Sequence, residues 1–152
     1  MLKAGEQAPQ FAINNLEGDV KRSGDYLKLG PVLLVFYKAS CPVCQLTLPF
    51  LERLRDVATL RFVLISQDDA KTTAKFRQYF NLTMDTLLDA RGYPASNAYG
   101  IEHVPSLFLV QPAGTIERSW EGFSRAEMEA LGTYAGKPIF HVGENVPLYK
   151  PG

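Results

Sequence analysis

The chain contains two cysteines, Cys41 and Cys44, which are separated by two residues. A disulfide between them would close a very small ring, so it would remove little entropy from the unfolded chain and add little stability. We therefore interpret the pair as a dithiol that cycles between reduced and oxidised forms. Two alternatives remain open. The thiols could be inert and buried, or they could bind zinc, although His103 and His141 lie far apart in sequence and not at the spacing of a zinc site.

Cys41 lies where a predicted strand is followed by a predicted helix. Residues 31–37 are almost continuously apolar, which is typical of a strand buried on both faces of a sheet. From Leu46 to Val57 the apolar residues recur at helical spacing, so Pro42 falls in the first helical turn, where proline is favoured. The free N–H groups at a helix start stabilise a thiolate. The sequence therefore predicts that Cys41 is the nucleophile of disulfide exchange.

Length and composition favour one domain without a nucleic-acid partner. The 152 residues are 46% hydrophobic, enough for one core, and we divide them into a domain (1–136) and a C-terminal extension of it (137–152). Lys and Arg (16) balance Asp and Glu (16), and no basic run is present. No apolar stretch is long enough to span a membrane, and no signal core precedes residue 10. We expect a cytoplasmic monomer or weak dimer as written, or a periplasmic or extracytoplasmic protein if a signal or anchor was removed.

The rest of the chain alternates predicted strands and helices. A hairpin with a turn near Gly18 comes first, and Pro112–Gly114 is typical of a later hairpin turn. The other predicted strands are 60–66, 106–110 and 115–120, and the predicted helices include 69–80 and 124–134. This order predicts an α/β sandwich with a central mixed sheet.

Two of the predicted helices carry specific expectations about side chains. In the helix at 69–80 the apolar side is expected to contain Ala70, Ala74, Phe76, Tyr79 and Phe80. In the last helix, Ser124 is the predicted N-cap, and Glu127 would complete a capping box.

The sequence resembles the thioredoxin superfamily, and within it the TlpA/ResA-type proteins, which overlap with the redoxin (AhpC/TSA) group. The similar segments are the entry segment 5–13, Cys41-Pro42-Val43-Cys44 with Pro49 after it, the Val-Pro segment 99–109, and Gly114 and Gly122. The resemblance implies a thioredoxin fold, with helices on both faces of a central mixed sheet and an added N-terminal hairpin.

The same resemblance implies an activity and a set of site residues. The activity is thiol–disulfide exchange with a disulfide-containing protein or a small thiol substrate, supported by an upstream dithiol reductant. No metal is expected, and no cofactor other than the redox-active disulfide. The implied catalytic residues are Cys41 and Cys44, and the implied substrate-binding residues are Pro42, Val43, Val104 and Pro105. Pro105 is expected to follow a cis peptide bond, so that the backbone of Val104 can pair with an extended substrate.

Three positions depart from the family pattern. Ser40 stands where family members usually have Trp, before the first cysteine. Val35 and Thr47 occupy positions that hold a carboxylate in thioredoxins and in ResA-like proteins. Neither can act as a base for the second thiol, so solvent or another group must accept its proton.

Two other functions are alternatives to thiol–disulfide exchange. A peroxiredoxin-type peroxidase would need Pro and Thr or Ser before the cysteine and an Arg near it, but Leu34, Lys38 and Pro105 occupy those positions. A non-catalytic interaction domain with the same fold is the third possibility, although the intact cysteine pair argues against it.

Overall fold

A seven-stranded mixed sheet forms the centre of the protein in a computed structural model that describes residues 1–152. The elements are β1 (Ala12–Asn15), β2 (Val20–Arg22), α1 (Ser23–Leu27), β3 (Val32–Tyr37), α2 (Pro42–Glu52), β4 (Arg61–Ser66), α3 (Ala70–Tyr79), β5 (Asp85–Leu88), α4 (Pro94–Ala98), β6 (Ser106–Val110), β7 (Ile116–Glu121), β8 (Phe123–Ser124), α5 (Arg125–Ala135) and β9 (Tyr149–Lys150). The predicted N-terminal hairpin is present as β1 and β2.

The strand order of the large sheet is β2-β1-β5-β4-β3-β6-β7. Strands β3, β4 and β5 run parallel, whereas β6 is antiparallel to β3. The carboxyl ends of β3 and β4 therefore meet the start of β6 at one edge of the sheet. Cys41 follows β3 and Pro105 directly precedes β6, so the fold itself brings these two distant segments together.

Side chains of the central strands alternate between two hydrophobic clusters. Leu33 and Val35 of β3 point to a cluster that also contains residues of α2, α3 and α5. Leu34 and Phe36 point to the opposite cluster, which is covered by the N-terminal segment and by residues of α1 and α4. Helices thus cover both faces of the mixed sheet, which confirms the predicted thioredoxin-like architecture.

The helix at 69–80 forms as predicted, but its buried face differs. The fully enclosed side chains are Thr73 and Phe76, while Tyr79 is 79% exposed and Ala70 and Ala74 are exposed. Thr73 is buried because its hydroxyl pairs with the Ser66 hydroxyl of β4 at 2.6 Å. A tertiary polar partner therefore overrides the apolar pattern.

The capping box at the start of α5 is half formed. Ser124 Oγ accepts a hydrogen bond from the Glu127 N–H at 3.2 Å, as predicted. The Glu127 carboxylate instead binds the Arg118 guanidinium at 2.7 Å.

Residues 137–152, which we call the tail, pack against the main cluster. Ile139 and Val146 are 2% and 7% exposed and belong to that cluster. Beyond them, β9 pairs with β8 in a separate antiparallel ribbon. The tail thus contributes side chains to the same core as the central sheet.

Candidate active site

Cys41 is the N-cap residue of α2, with Pro42 at the first helical position. The backbone N–H of Cys44 donates to the Cys41 sulfur at 3.1 Å, as an N-cap side chain requires. The Cys41 sulfur is half-buried, and no bond joins it to the Cys44 sulfur in this structure. The helix N-terminus and this hydrogen bond both favour negative charge on the Cys41 sulfur.

Cys44 lies one turn further into the helix and has no solvent exposure. Burial raises the pKa of its thiol strongly, and the hydrogen bond with Cys41 raises it further. The two sulfurs therefore differ in solvent exposure and in their position in the helix. Cys41 is partly exposed at the start of the helix, whereas Cys44 is enclosed in the apolar cluster.

The Val104–Pro105 peptide bond is cis, as predicted. The Val104 carbonyl oxygen accepts a hydrogen bond from the Cys41 sulfur at 3.4 Å, which places these two residues in contact across 63 positions of sequence. The Val104 N–H has no hydrogen-bond partner within the protein. The Val104 carbonyl thus lies beside the Cys41 sulfur, and the Val104 N–H is free to pair with an extended chain.

The remaining predicted substrate-binding residues flank the sulfur. Pro42 is exposed, and Val43 is half-buried against the main cluster. Pro105 is buried beneath Val104. The structure therefore gathers all six predicted site residues at one edge of the sheet.

Two residues that sequence reasoning missed hold the loop in front of Cys41. The Asp68 carboxylate accepts the Ala39 N–H at 2.7 Å, and the Gln45 side-chain amide donates to the Ala39 carbonyl at 2.8 Å. These bonds fix the segment between β3 and α2. Asp68 lies two residues after the end of β4, which runs parallel to β3, and that position at the same sheet edge is the signal that could have identified it.

Val35 and Thr47 supply no carboxylate at the two positions discussed above, although the charge of Asp68 contributes to the raised pKa of the Cys44 thiol. Val35 is fully buried in the main cluster, and Thr47 satisfies its hydroxyl by donating to the Val43 carbonyl at 2.7 Å. Lys38 is exposed. Neither cysteine sulfur has a hydrogen bond to a carboxylate.

The site lacks the features of a peroxidase or a metal centre. The hydrogen bonds of the Cys41 sulfur go to Val104 and Cys44, and none involves an arginine. Leu34 occupies the position where a peroxiredoxin-type peroxidase would need proline, and it is 4% exposed and packs in the hydrophobic core. No group of three or more His, Cys, Asp or Glu side chains is arranged to hold a metal ion.

None of the helices is both long and apolar enough to span a bilayer.

Comparison with known proteins gives the following likenesses. The thiol-disulfide oxidoreductase ResA of Geobacillus thermodenitrificans is 29% identical over 121 residues, which cover 77% of this chain and 68% of the relative. A candidate thiol:disulfide interchange protein DsbE from Chlorobium tepidum superposes with a TM-score of 0.78 at 24% identity, over 88% of this chain and 96% of that one. Peroxidoxin BcpB from Mycobacterium tuberculosis superposes with a TM-score of 0.73 at 23% identity, over 89% of this chain and 94% of that one.

The two structural likenesses establish the fold, and they include both an interchange protein and a peroxidoxin, so the fold alone does not separate the two chemistries. The model of the AhpC/TSA family matches residues 4–119. Because that match spans most of the chain and includes both cysteines and the Val104–Pro105 segment, the chain belongs to the AhpC/TSA family.

Proposed function

We propose that this protein is a thiol–disulfide oxidoreductase in which Cys41 is the nucleophile and Cys44 the resolving thiol. The observation that carries the proposal is the contrast between the two sulfurs. Cys41 caps a helix, accepts the Cys44 N–H and is partly exposed, while Cys44 is fully enclosed behind it. The name of the relative ResA, a thiol-disulfide oxidoreductase, supports the same activity.

In the first step, the Cys41 thiolate attacks one sulfur of a substrate disulfide. A bond forms between Cys41 and that sulfur, the substrate disulfide breaks, and its second sulfur leaves as a thiolate that takes up a proton. The free N–H and the carbonyl of Val104 hold an extended substrate beside Cys41, and Pro42 and Val43 contact it from the helix side.

In the second step, Cys44 loses its proton and attacks the Cys41 sulfur. A Cys41–Cys44 disulfide forms, the mixed disulfide breaks, and the substrate leaves with two electrons. Since no carboxylate hydrogen-bonds to Cys44, its proton passes to solvent or to another group near the site. The high pKa that burial gives this thiol makes resolution the slower step near neutral pH.

The cycle also requires partners. A dithiol reductant must return the Cys41–Cys44 disulfide to the reduced state, and the substrate is a protein or a small molecule with a disulfide. No other cofactor takes part in these steps. The protein acts as a monomer or weak dimer, and its compartment stays a prediction.

The assignment of the two cysteines is tested by trapping. Cys44→Ser retains the nucleophile and lacks the resolving thiol, so it should accumulate mixed disulfides with insulin or with a small disulfide. Cys41→Ser is the matched control and should accumulate far fewer. Equal trapping by both variants, counted by mass spectrometry under non-reducing conditions, would contradict the assignment.

Turnover assays distinguish the other functions. The wild-type protein should reduce disulfides when a dithiol is supplied and should consume hydrogen peroxide no faster than the Cys44→Ser variant. Rapid peroxide consumption would support a peroxidase instead. No turnover of either substrate would support a non-catalytic domain.

A further inference from the structure

The tail is fixed to the core by several independent contacts before it reaches the active site. The Glu144 carboxylate forms a two-bond pair with the Arg53 guanidinium at 2.7 and 2.8 Å. The Phe140 ring packs on the Phe50 ring with 5.0 Å between centroids. Together with the buried Ile139, these contacts determine the path of residues 137–146.

The next part of the tail runs along β8. Phe123 pairs with Lys150, and the Arg125 N–H donates to the Leu148 carbonyl at 3.0 Å. Gly122 connects this ribbon to the active site, since its N–H donates to the Pro105 carbonyl at 2.8 Å. A Cβ on Gly122 would lie 2.5 Å from the Lys150 carbonyl oxygen, so only glycine permits the tail to pass this closely.

The last residue described, Gly152, lies against Val104. A Cβ on Gly152 would be 2.3 Å from the Val104 carbonyl oxygen and 2.9 Å from its carbonyl carbon. This is the same oxygen that accepts the Cys41 hydrogen bond. Gly152 and the reactive sulfur therefore contact one carbonyl group, and the tail occupies part of the edge that a substrate backbone would use.

We infer that residues 149–152 determine substrate size by covering the Val104 edge, so that a polypeptide disulfide must displace them while a small disulfide need not. This inference rests on the proposed function. An extended chain can pair with the Val104 carbonyl only after Gly152 leaves, so its apparent affinity is the intrinsic affinity multiplied by the fraction of molecules in which the tail is undocked. A small disulfide requires access to the Cys41 sulfur alone, which remains partly exposed.

The test uses the full chain with Gly152→Ala. The added methyl group cannot remain 2.3 Å from a carbonyl oxygen, so residue 152 must move away from Val104, while the anchoring contacts of the tail are unchanged. Val142→Ala is the matched control, because Val142 is in the same tail and fully exposed. For each protein, kcat/KM is measured with insulin and with bis(2-hydroxyethyl) disulfide.

Gly152→Ala should raise kcat/KM for insulin by at least about threefold and leave the value for the small disulfide unchanged. Val142→Ala should have the same kcat/KM as wild type with insulin and with the small disulfide. If Gly152→Ala turns over both substrates and the ratio of kcat/KM for insulin to kcat/KM for the small disulfide equals that of wild type, the size-selection inference is overturned and the proposed function stays intact. Absence of turnover of either substrate by the wild-type protein would refute the proposed function, and the inference with it.

Discussion

Because the Cys44 thiol is buried, the reduced protein should lose stability at alkaline pH through this one group. Cys44 has no solvent exposure, and burial raises its pKa well above that of a free thiol. In the unfolded chain the same thiol ionises with a pKa of about 8.5. Above that pH the unfolded state releases a proton that the folded state retains, so the free energy of unfolding decreases as pH rises.

The size of the effect follows from the proton count. Each pH unit above the unfolded pKa costs about 1.4 kcal/mol for one retained proton. Between about pH 7 and about pH 10.5 the loss from Cys44 amounts to about 2.7 kcal/mol, provided that the folded thiol stays neutral throughout. Below about pH 8 the contribution is constant, so the effect is confined to the alkaline range.

A pair of variants isolates this effect. Both carry Cys41→Ser, which prevents disulfide formation and removes the neighbouring thiol, and one of them also carries Cys44→Ala. Their free energies of unfolding are measured by urea titration at several pH values. The cavity left by Cys44→Ala lowers the free energy of unfolding by the same amount at every pH. The test is therefore whether the difference in free energy of unfolding between the two proteins changes as the pH becomes alkaline. If that difference stays constant up to about pH 10.5, the thiol ionises in the folded state and the account of its burial is wrong.

Two further predictions concern the tail. Glu144→Gln should lower the melting temperature at neutral pH, since the hydrogen bonds from Arg53 and from the His141 N–H lower the pKa of Glu144 to about 2. This stabilisation is present above the ordinary pKa of 4.5 and is lost as pH falls toward 2, so equal melting of both proteins at neutral pH would contradict it. Ile139→Ala should cost about 2–5 kcal/mol in urea unfolding, because Ile139 is 2% exposed within the core, whereas the exposed Val142→Ala should cost nothing measurable. Equal stability of these two variants would show that the tail does not pack as described.

The chemistry of the site could be predicted from the sequence because its signals are local. Cys41, Pro42 and Cys44 lie within one helical turn, and the change from a continuous apolar run to helical spacing shows where the helix begins. The pairing of Cys41 with Val104 is not local, and it was predicted only through the resemblance to a known family.

Other features were decided by tertiary structure, since they depend on contacts between distant segments. Asp68 reaches Ala39 from 29 positions away because β3 and β4 end at the same edge of the sheet. Thr73 faces the core because Ser66 of a neighbouring strand supplies a hydroxyl partner there. A pattern of apolar residues carries no information about such polar pairs.

The tail shows most clearly the difference between what the sequence predicts and what the tertiary structure decides. From the sequence, residues 137–152 are predicted only to be a C-terminal extension of the domain. Ile139 is buried in the main cluster, and Gly152 lies against Val104 because the preceding residues of β9 pair with β8. The sequence by itself determined that Cys41 lies at the start of a helix and that Cys44 lies one turn inside it. The packing of the tail against that site was decided by the folded structure, since it depends on the distance between backbones far apart in the chain.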